Sequence, residues 1–344
     1  MNSDVRDIDL KSFDYNANVN SKIEFLLKYA ILAPSTHNSQ PWLFKIENNK
    51  CKVYYDPNLL IPQADPKTRD LHISIGCAVE NIIIAGSYFS MNPKVNLGPF
   101  SEDKLLAEIT FTDLNNRPDS NWESLINSII TRINARGFFE DKVIEKSILN
   151  KIQQTIKDGG YLDNINIHFL ENREKIQKLA VLTAEGLKMA YRNPKFRKEM
   201  SGWMNNSLSR RKQGLPGFAL KMPFLLSFII PTLVRYKDIG PVLAGKNFDS
   251  INSAPLLLAI TSNENNPLTW LKTGRLAERL MLEFNSKRLN TSIFVASVEM
   301  GDLYKQVQEV VGTKEIPQFL FAAGKIDSLH KFTPRHELNK KIIK

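Results

Sequence analysis

Cysteine is scarce. The chain of 344 residues has only Cys51 and Cys77. Neither stands in a CxxC pair or a Cys/His cluster, so zinc and thiol-redox readings have no support, and two buried, reduced thiols are expected. The five histidines fall in no metal-ligand spacing. No run reaches the roughly 18–20 apolar residues that span a bilayer. The opening MNSDVRDIDLKSFDY carries no apolar signal core. The expectation is a cytoplasmic chain without stable membrane insertion. GxGxxG is missing, which leaves a Rossmann reading without an anchor, and GxSxG is missing, which does the same for a hydrolase. Gly240–Lys246 nearly spells a P-loop, but Asn247 stands where a hydroxyl should bind magnesium.

What is present is an ordinary globular composition, 42% hydrophobic and 24% charged, with a net charge of +10. The Lys and Arg residues are spread out rather than gathered in a run interleaved with aromatics. No nucleic-acid partner is therefore expected, and a phosphate-bearing cofactor is anion enough. The length suggests two structural units.

Apolar periodicity predicts helices over 21–32, 65–89, 122–132, 143–157, 171–191 and 268–287. Short apolar runs predict strands over 42–46, 51–55, 93–97, 105–112, 165–170, 255–261 and 318–323. The polar stretch 113–121 is the best internal boundary and divides the chain into 1–120 and 121–344. Residues 214–246 differ from the rest. They are very apolar, have no clean period, and are broken by Pro216, Pro223 and Pro231, which argues against one helix. A lid or subunit-contact element, buried core and a membrane-surface contact are all open readings.

Two motifs carry chemistry. In the first half, Ala33-Pro34-Ser35-Thr36-His37-Asn38-Ser39-Gln40-Pro41-Trp42 lies between a helix and a strand. A loop stiffened by two prolines can hold several polar groups in fixed directions, as a planar heteroaromatic ligand needs, although a capped turn would use the same residues. In the second half, Arg132-Ile133-Asn134-Ala135-Arg136-Gly137-Phe138 places two arginines four residues apart. An arginine fork suits a phosphate dianion.

APSTHNSQPW is very similar to the "aPSsxNxQPW" signature of the nitroreductase superfamily, and RINARGF to its opening "RRSxRxF" motif. DPKTRDLHISIG at 65–76 looks like the segment marking the Acg-type, FMN-binding nitroreductase-like group. Weaker likeness extends to 270–274, 317–318 and 333–335, and fades over 195–250. The resemblance implies an α+β nitroreductase-like fold, with antiparallel or mixed central sheets flanked by helices, and FMN as cofactor. It makes Pro34, Ser35, Thr36 and Asn38 contacts of the flavin or its phosphoribityl arm, with Gln40 among the cofactor-binding residues and Gln40-Pro41-Trp42 setting the strand behind. It makes Arg132 the phosphate partner, Asn134 a phosphate or ribityl contact, Arg136 the cation near flavin N1/O2, and Arg335 a C-terminal phosphate contact. His37 is incidental, and no side-chain catalytic acid can be named.

Motif order adds one inference. In nitroreductases RRSxRxF comes first and PSxxNxQPW follows, and the flavin lies at a homodimer interface. Here each half keeps the motif that the other lacks, which reads as two fused half-units, a pseudo-dimer with one complete flavin site. Ile133, Ala322 and Lys325 depart from the pattern, which bears on phosphate affinity and pocket shape. The implied activity passes electrons from NAD(P)H through FMN to a small planar acceptor. The alternative is an FMN-sequestering protein closed by 214–246. Monomeric pseudo-dimer and homodimer both remain open.

Overall fold

The computed structural model describes residues 4–114, 116–326 and 331–343. Along the chain come α1 (Val19–Ala30), β1 (Trp42–Glu47), β2 (Lys50–Tyr55), α2 (Arg69–Tyr88), β3 (Pro93–Leu97) and β4 (Leu105–Phe111). Then follow α3 (Glu123–Thr131), α4 (Lys146–Asp158), β5 (Ile165–Leu170), α5 (Arg173–Arg192), α6 (Pro194–Trp203), β6 (Met204–Asn205), β7 (Leu215–Pro216), α7 (Leu226–Tyr236) and α8 (Gly240–Ser253). The chain finishes through β8 (Leu256–Ser262), α9 (Pro267–Ser286), β9 (Asn290–Ile293), α10 (Ala296–Glu299), α11 (Leu303–Val311) and β10 (Ile316–Gly324). This is an α+β architecture of two antiparallel four-stranded sheets flanked by helices.

Local chemistry accounts for several boundaries. Asn18, Asn172 and Asn266 each accept a backbone N–H in the first turn of α1, α5 and α9, and Pro267 sits at the start of α9. The helix expected from residue 65 begins at Arg69. Pro66 disfavours helical backbone at Asp65, and the Asp65 carboxylate instead accepts from Leu71 N at 2.9 Å. Residues 214–246 hold not one helix but α7 and the first half of α8. Pro216 and Pro223 lie outside them, while Pro231 is tolerated inside α7 at the cost of one ladder bond. The near-P-loop at 240–246 is the first half of the unbroken helix α8, so its backbone N–H groups form no phosphate cradle. The structure adds α6, α8, β9, α10 and α11, which the patterning did not reveal.

The two sheets repeat one plan. The strand orders are β1-β2-β4-β3 and β5-β8-β10-β9, and in each a 20-residue helix, α2 or α9, joins the second strand to the third. The first two strands are joined by a tight turn in one sheet and by residues 171–255, with four helices, in the other. α2 and α9 pack against each other at a crossing of backbones. A Cβ on Gly76 would lie 2.2 Å from the Leu271 carbonyl oxygen, and one on Gly274 would lie 2.0 Å from that of Ile73. Gly76 and Gly274 are each the eighth residue of their helix, and Ile73 and Leu271 the fifth, so the crossing has local two-fold symmetry. By length and composition α2 could span a bilayer, but it is buried between its sheet and α9, which explains why it is apolar almost all round.

The halves also exchange segments. α3 lies beyond the polar boundary in sequence, yet Leu125, Ile126 and Ile129 are buried in the core of the first sheet. The C-terminal tail returns to the edge of that sheet, where Phe44 N donates to Lys341 O at 2.7 Å and Ile343 N to Phe44 O at 2.8 Å. Residues 134–135 add to the edge of the second sheet, with Ala135 N donating to Thr291 O at 2.9 Å. A cut at residue 120 therefore follows the sequence better than it follows the packing.

The crossing can be tested. Gly→Ala inside a helix should stabilise by about 1 kcal/mol through propensity. At position 76 or 274 the added methyl overlaps a carbonyl oxygen, so a net loss of about 1–3 kcal/mol or more is expected in chemical denaturation. Stabilisation by either Gly76→Ala or Gly274→Ala would rule out the close approach.

Candidate functional site

The PSTHNSQ loop leaves α1 and enters β1. His37, Asn38 and Gln40 have φ of 54°, 54° and 53°, in the left-handed region. That region is tolerable for Asn but costs roughly 1–2 kcal/mol for ordinary residues. Side-chain bonds hold the loop there. Ser35 Oγ accepts Gln40 N at 2.9 Å. Asn38 Nδ2 donates to Gly214 O at 3.2 Å and Pro334 O at 3.1 Å. Gln40 Nε2 donates to Lys212 O at 2.6 Å, and its Oε1 accepts His336 N at 2.9 Å.

Arg335 is the other half of this brace. It donates to Asn38 Oδ1 at 2.6 Å, Thr333 Oγ1 at 2.6 Å and Ala33 O at 3.1 Å. It also meets Arg132: both guanidinium groups donate to Leu32 O, at 3.4 and 3.3 Å. Residues separated by 303 and 100 positions thus converge on one carbonyl. Arg6 arrives from the N-terminal arm, donating to Ile130 O at 2.9 Å and stacking on Phe332 at 4.2 Å.

These elements enclose a cleft of about 120 Å³. Pro34, Ser35, Asn38, Arg132, Asn134, Arg136 and Arg335 all line it. Leu215, Phe218, Ala219, Ile133 and Ile293 supply an apolar wall. Among the described residues, six cations line the cleft, Arg6, Arg132, Arg136, Lys221, Lys331 and Arg335, and no carboxylate does. Burial, reinforced by Arg6 and Arg132 alongside, pulls the Arg335 pKa well below its usual value. Burial first and Arg132 second pull Arg6 down to about 10. Burial also lowers Arg136. Each shift has the sign that a nearby anion would reverse.

Arg132 has a carboxylate partner in Glu278, wholly buried in α9, with Oε1 3.2 Å from Arg132 Nε. Burial raises its pKa, and Arg132 opposes that rise. Arg132 is therefore a wall residue with a protein partner rather than an open fork. Among the described residues, the buried Nε of Arg335 has no hydrogen-bond partner.

Two expected contacts are placed elsewhere. Gln40 is wholly buried and does not line the cleft, because its amide is spent on Lys212, at the entry to the apolar segment, and on the C-terminal arm; it positions the loop. Thr36 faces a separate small cavity and reaches toward Asp70 Oδ2 at 3.4 Å. His37 is absent from the cleft lining and sits edge-on to Trp203 at 6.4 Å. Arg6, Lys221 and Lys331 are cleft residues that motif reading missed. They belong to no contiguous motif, and the one available signal was the overall basic charge.

No family model matches the chain. The chain is similar to a protein of Mycobacterium tuberculosis, in strain H37Rv and in strain CDC 1551, named "Putative NAD(P)H nitroreductase", with 22% identity over 328 residues, 92% of this chain and 90% of the relative. Among solved structures it resembles the "FMN and NADPH-dependent nitroreductase NfnB" of sphigopyxis sp. strain HMH, at 16% identity and TM-score 0.43, covering 63% of this chain and 96% of that one. It also resembles the "NADPH:FMN oxidoreductase" of Vibrio harveyi, at 14% identity and TM-score 0.36, covering 62% and 72%. These relatives bear out the resemblance to the nitroreductase superfamily; the Acg-type subgroup is not distinguished by them.

Two outcomes follow for the site. Arg132→Ala leaves Glu278 buried and unpaired, and is expected to cost about 3–5 kcal/mol in urea unfolding. Adding Glu278→Gln should recover most of that loss, and no recovery would mean that the pair does not carry the effect. Asp65, at the start of α2, has its pKa raised from 3.8 to about 6, by burial and then by Asp70. A raised folded pKa gives stability that is present in acid and lost as pH rises through the folded value. The drop in stability between about pH 4 and pH 6 should therefore be smaller in Asp65→Asn, as read by thermal unfolding across pH.

Proposed function

We propose that the cleft binds one FMN per chain, and that the protein is a cytoplasmic NAD(P)H-dependent flavin oxidoreductase of the Acg-type, nitroreductase-like kind. The observation that carries this reading is the cleft itself, which among the described residues has six cations, no carboxylate, a buried Arg335 Nε without a hydrogen-bond partner and a flanking apolar wall. FMN needs those two environments side by side, because its phosphate is a dianion and its ring system is flat and largely apolar.

Arg335, Arg6 and Lys331 would hold the phosphate end, with Arg132 completing the cationic wall while staying tied to Glu278. Asn134 and Ser35 would contact the polar arm. Leu215 and Phe218 would face the ring. Arg136 would stand near N1/O2, where a cation favours the reduced form. When bound, FMN supplies hydride acceptance from NAD(P)H and electron transfer to a small planar acceptor. The chain's own work is to orient the flavin, neutralise its charge and exclude water.

One site per chain is supported by what occupies the equivalent position in the second half. The eleven-residue loop 31–41 between α1 and β1 corresponds to the six-residue loop 159–164 between α4 and β5. That shorter loop carries Tyr161, whose hydroxyl bonds Glu80, with Arg275 and Arg279 at 5.5 and 5.9 Å from its ring. Glu80 and Glu278 are each the twelfth residue of their helix. Where Glu278 meets Arg132 beside the cleft, Glu80 meets Tyr161, Arg275 and Arg279.

A second reading, FMN sequestration with little turnover, draws on the latch. Asn38 and Gln40 bind the backbone of Lys212 and Gly214, so the segment that follows closes against the flavin loop.

Reconstitution should give an FMN-to-chain ratio near one; a ratio near two would contradict the single site. Arg335→Ala should weaken FMN binding by about 10- to 100-fold, as expected for a lost charge-assisted bond. Unchanged affinity would remove Arg335 from the site. Anaerobic mixing with NADPH or NADH separates the two readings: bleaching of the flavin band within seconds supports the enzyme, and an unbleached band supports sequestration.

A further inference from the structure

α7 docks through one narrow stripe. Ser227 and Val234 are buried, and Val234 packs with Tyr191, Phe196 and Met200. A surface helix normally turns polar residues outward, but this one does not. Leu225 is 74% exposed, Ile229 59% and Tyr236 69%, and Phe224, Phe228 and Leu233 are exposed beside them. Cations flank this apolar segment along the chain. Between residues 221 and 246 stand Lys221, Arg235, Lys237 and Lys246 against a single carboxylate, Asp238. Such a combination fits a surface that is apolar inside and anionic at its rim.

We propose that α7 docks the protein in the plane of an anionic lipid surface, its apolar face at the acyl boundary and its flanking cations among acidic headgroups. Charge decides between this occupant and a second copy of the chain. A two-fold self-contact would set the same cationic rim against itself, whereas acidic headgroups neutralise it. The docking has a consequence for access. Leu215, Phe218 and Lys221, which line the cleft, immediately precede the exposed face in the chain, so the bound protein would present that wall of the cleft near the lipid. The docking itself stands on the α7 face and does not depend on which ligand the cleft holds.

The test is flotation of the full chain with phosphatidylcholine vesicles with and without phosphatidylglycerol, alongside light scattering of the free protein. Flotation with the anionic vesicles only, released by high salt, is expected. Arg235→Glu with Lys237→Glu should lower the partition by about 30-fold or more. Leu225→Glu with Ile229→Glu should abolish it. Both pairs are exposed, and circular dichroism checks that each variant folds. No flotation overturns the proposal, as does equal flotation with neutral vesicles. A dimer in light scattering that Leu225→Glu with Ile229→Glu dissociates assigns the face to a second copy instead.

Discussion

The molecule depends on one steric fact: two helix backbones meet at Gly76 and Gly274 with no room for a side chain. That contact sets α2 against α9 and brings two sheets of the same strand order into one body. Each helix also carries a buried glutamate at its twelfth position. Glu80 meets Tyr161 and Arg275. Glu278 meets Arg132, which lines the cleft.

The electrostatics of that cleft follow from which segments reach it. The N-terminal arm brings Arg6, the polar link and α3 bring Arg132 and Arg136, and the C-terminal arm brings Lys331 and Arg335. Arms that cross between halves make this convergence possible, and they also hold the strained loop. Three left-handed residues out of four could not persist on local preference alone. They persist because Arg335, Pro334 and His336 satisfy the side chains of Asn38 and Gln40. The interactions that hold the loop and those that make the cleft cationic are thus partly the same.

Much of the secondary structure was legible in the sequence, and the failures have physical causes. The strands at 93–97 and 165–170 are found as read, because apolar and polar residues alternate along each. α8 was hidden by a near-P-loop and by a Gly-Pro start, which is a common helix opening when followed by helix formers. β9 has four residues and is defined by its pairing with β10 rather than by its own pattern. Of the site, the motif residues Pro34, Ser35, Asn38, Arg132, Asn134, Arg136 and Arg335 do line one cleft, whereas Gln40 and Thr36 face away from it. Spacing cannot distinguish a side chain that points at a ligand from one that points at the backbone bracing it.

By itself, the amino-acid sequence determined the helices and strands with strong local periodicity, the absence of metal-ligand spacings, and the division of two motifs between two halves. Those properties need only neighbouring residues. Tertiary structure alone decided that α3 serves the first core, that Arg6 and Arg335 join Arg132 at one cleft, and that Tyr161 bonds Glu80. Each of these depends on contacts between segments a hundred or more residues apart, or between opposed halves, whose free energy comes from shared burial and charge and leaves no local pattern in the chain.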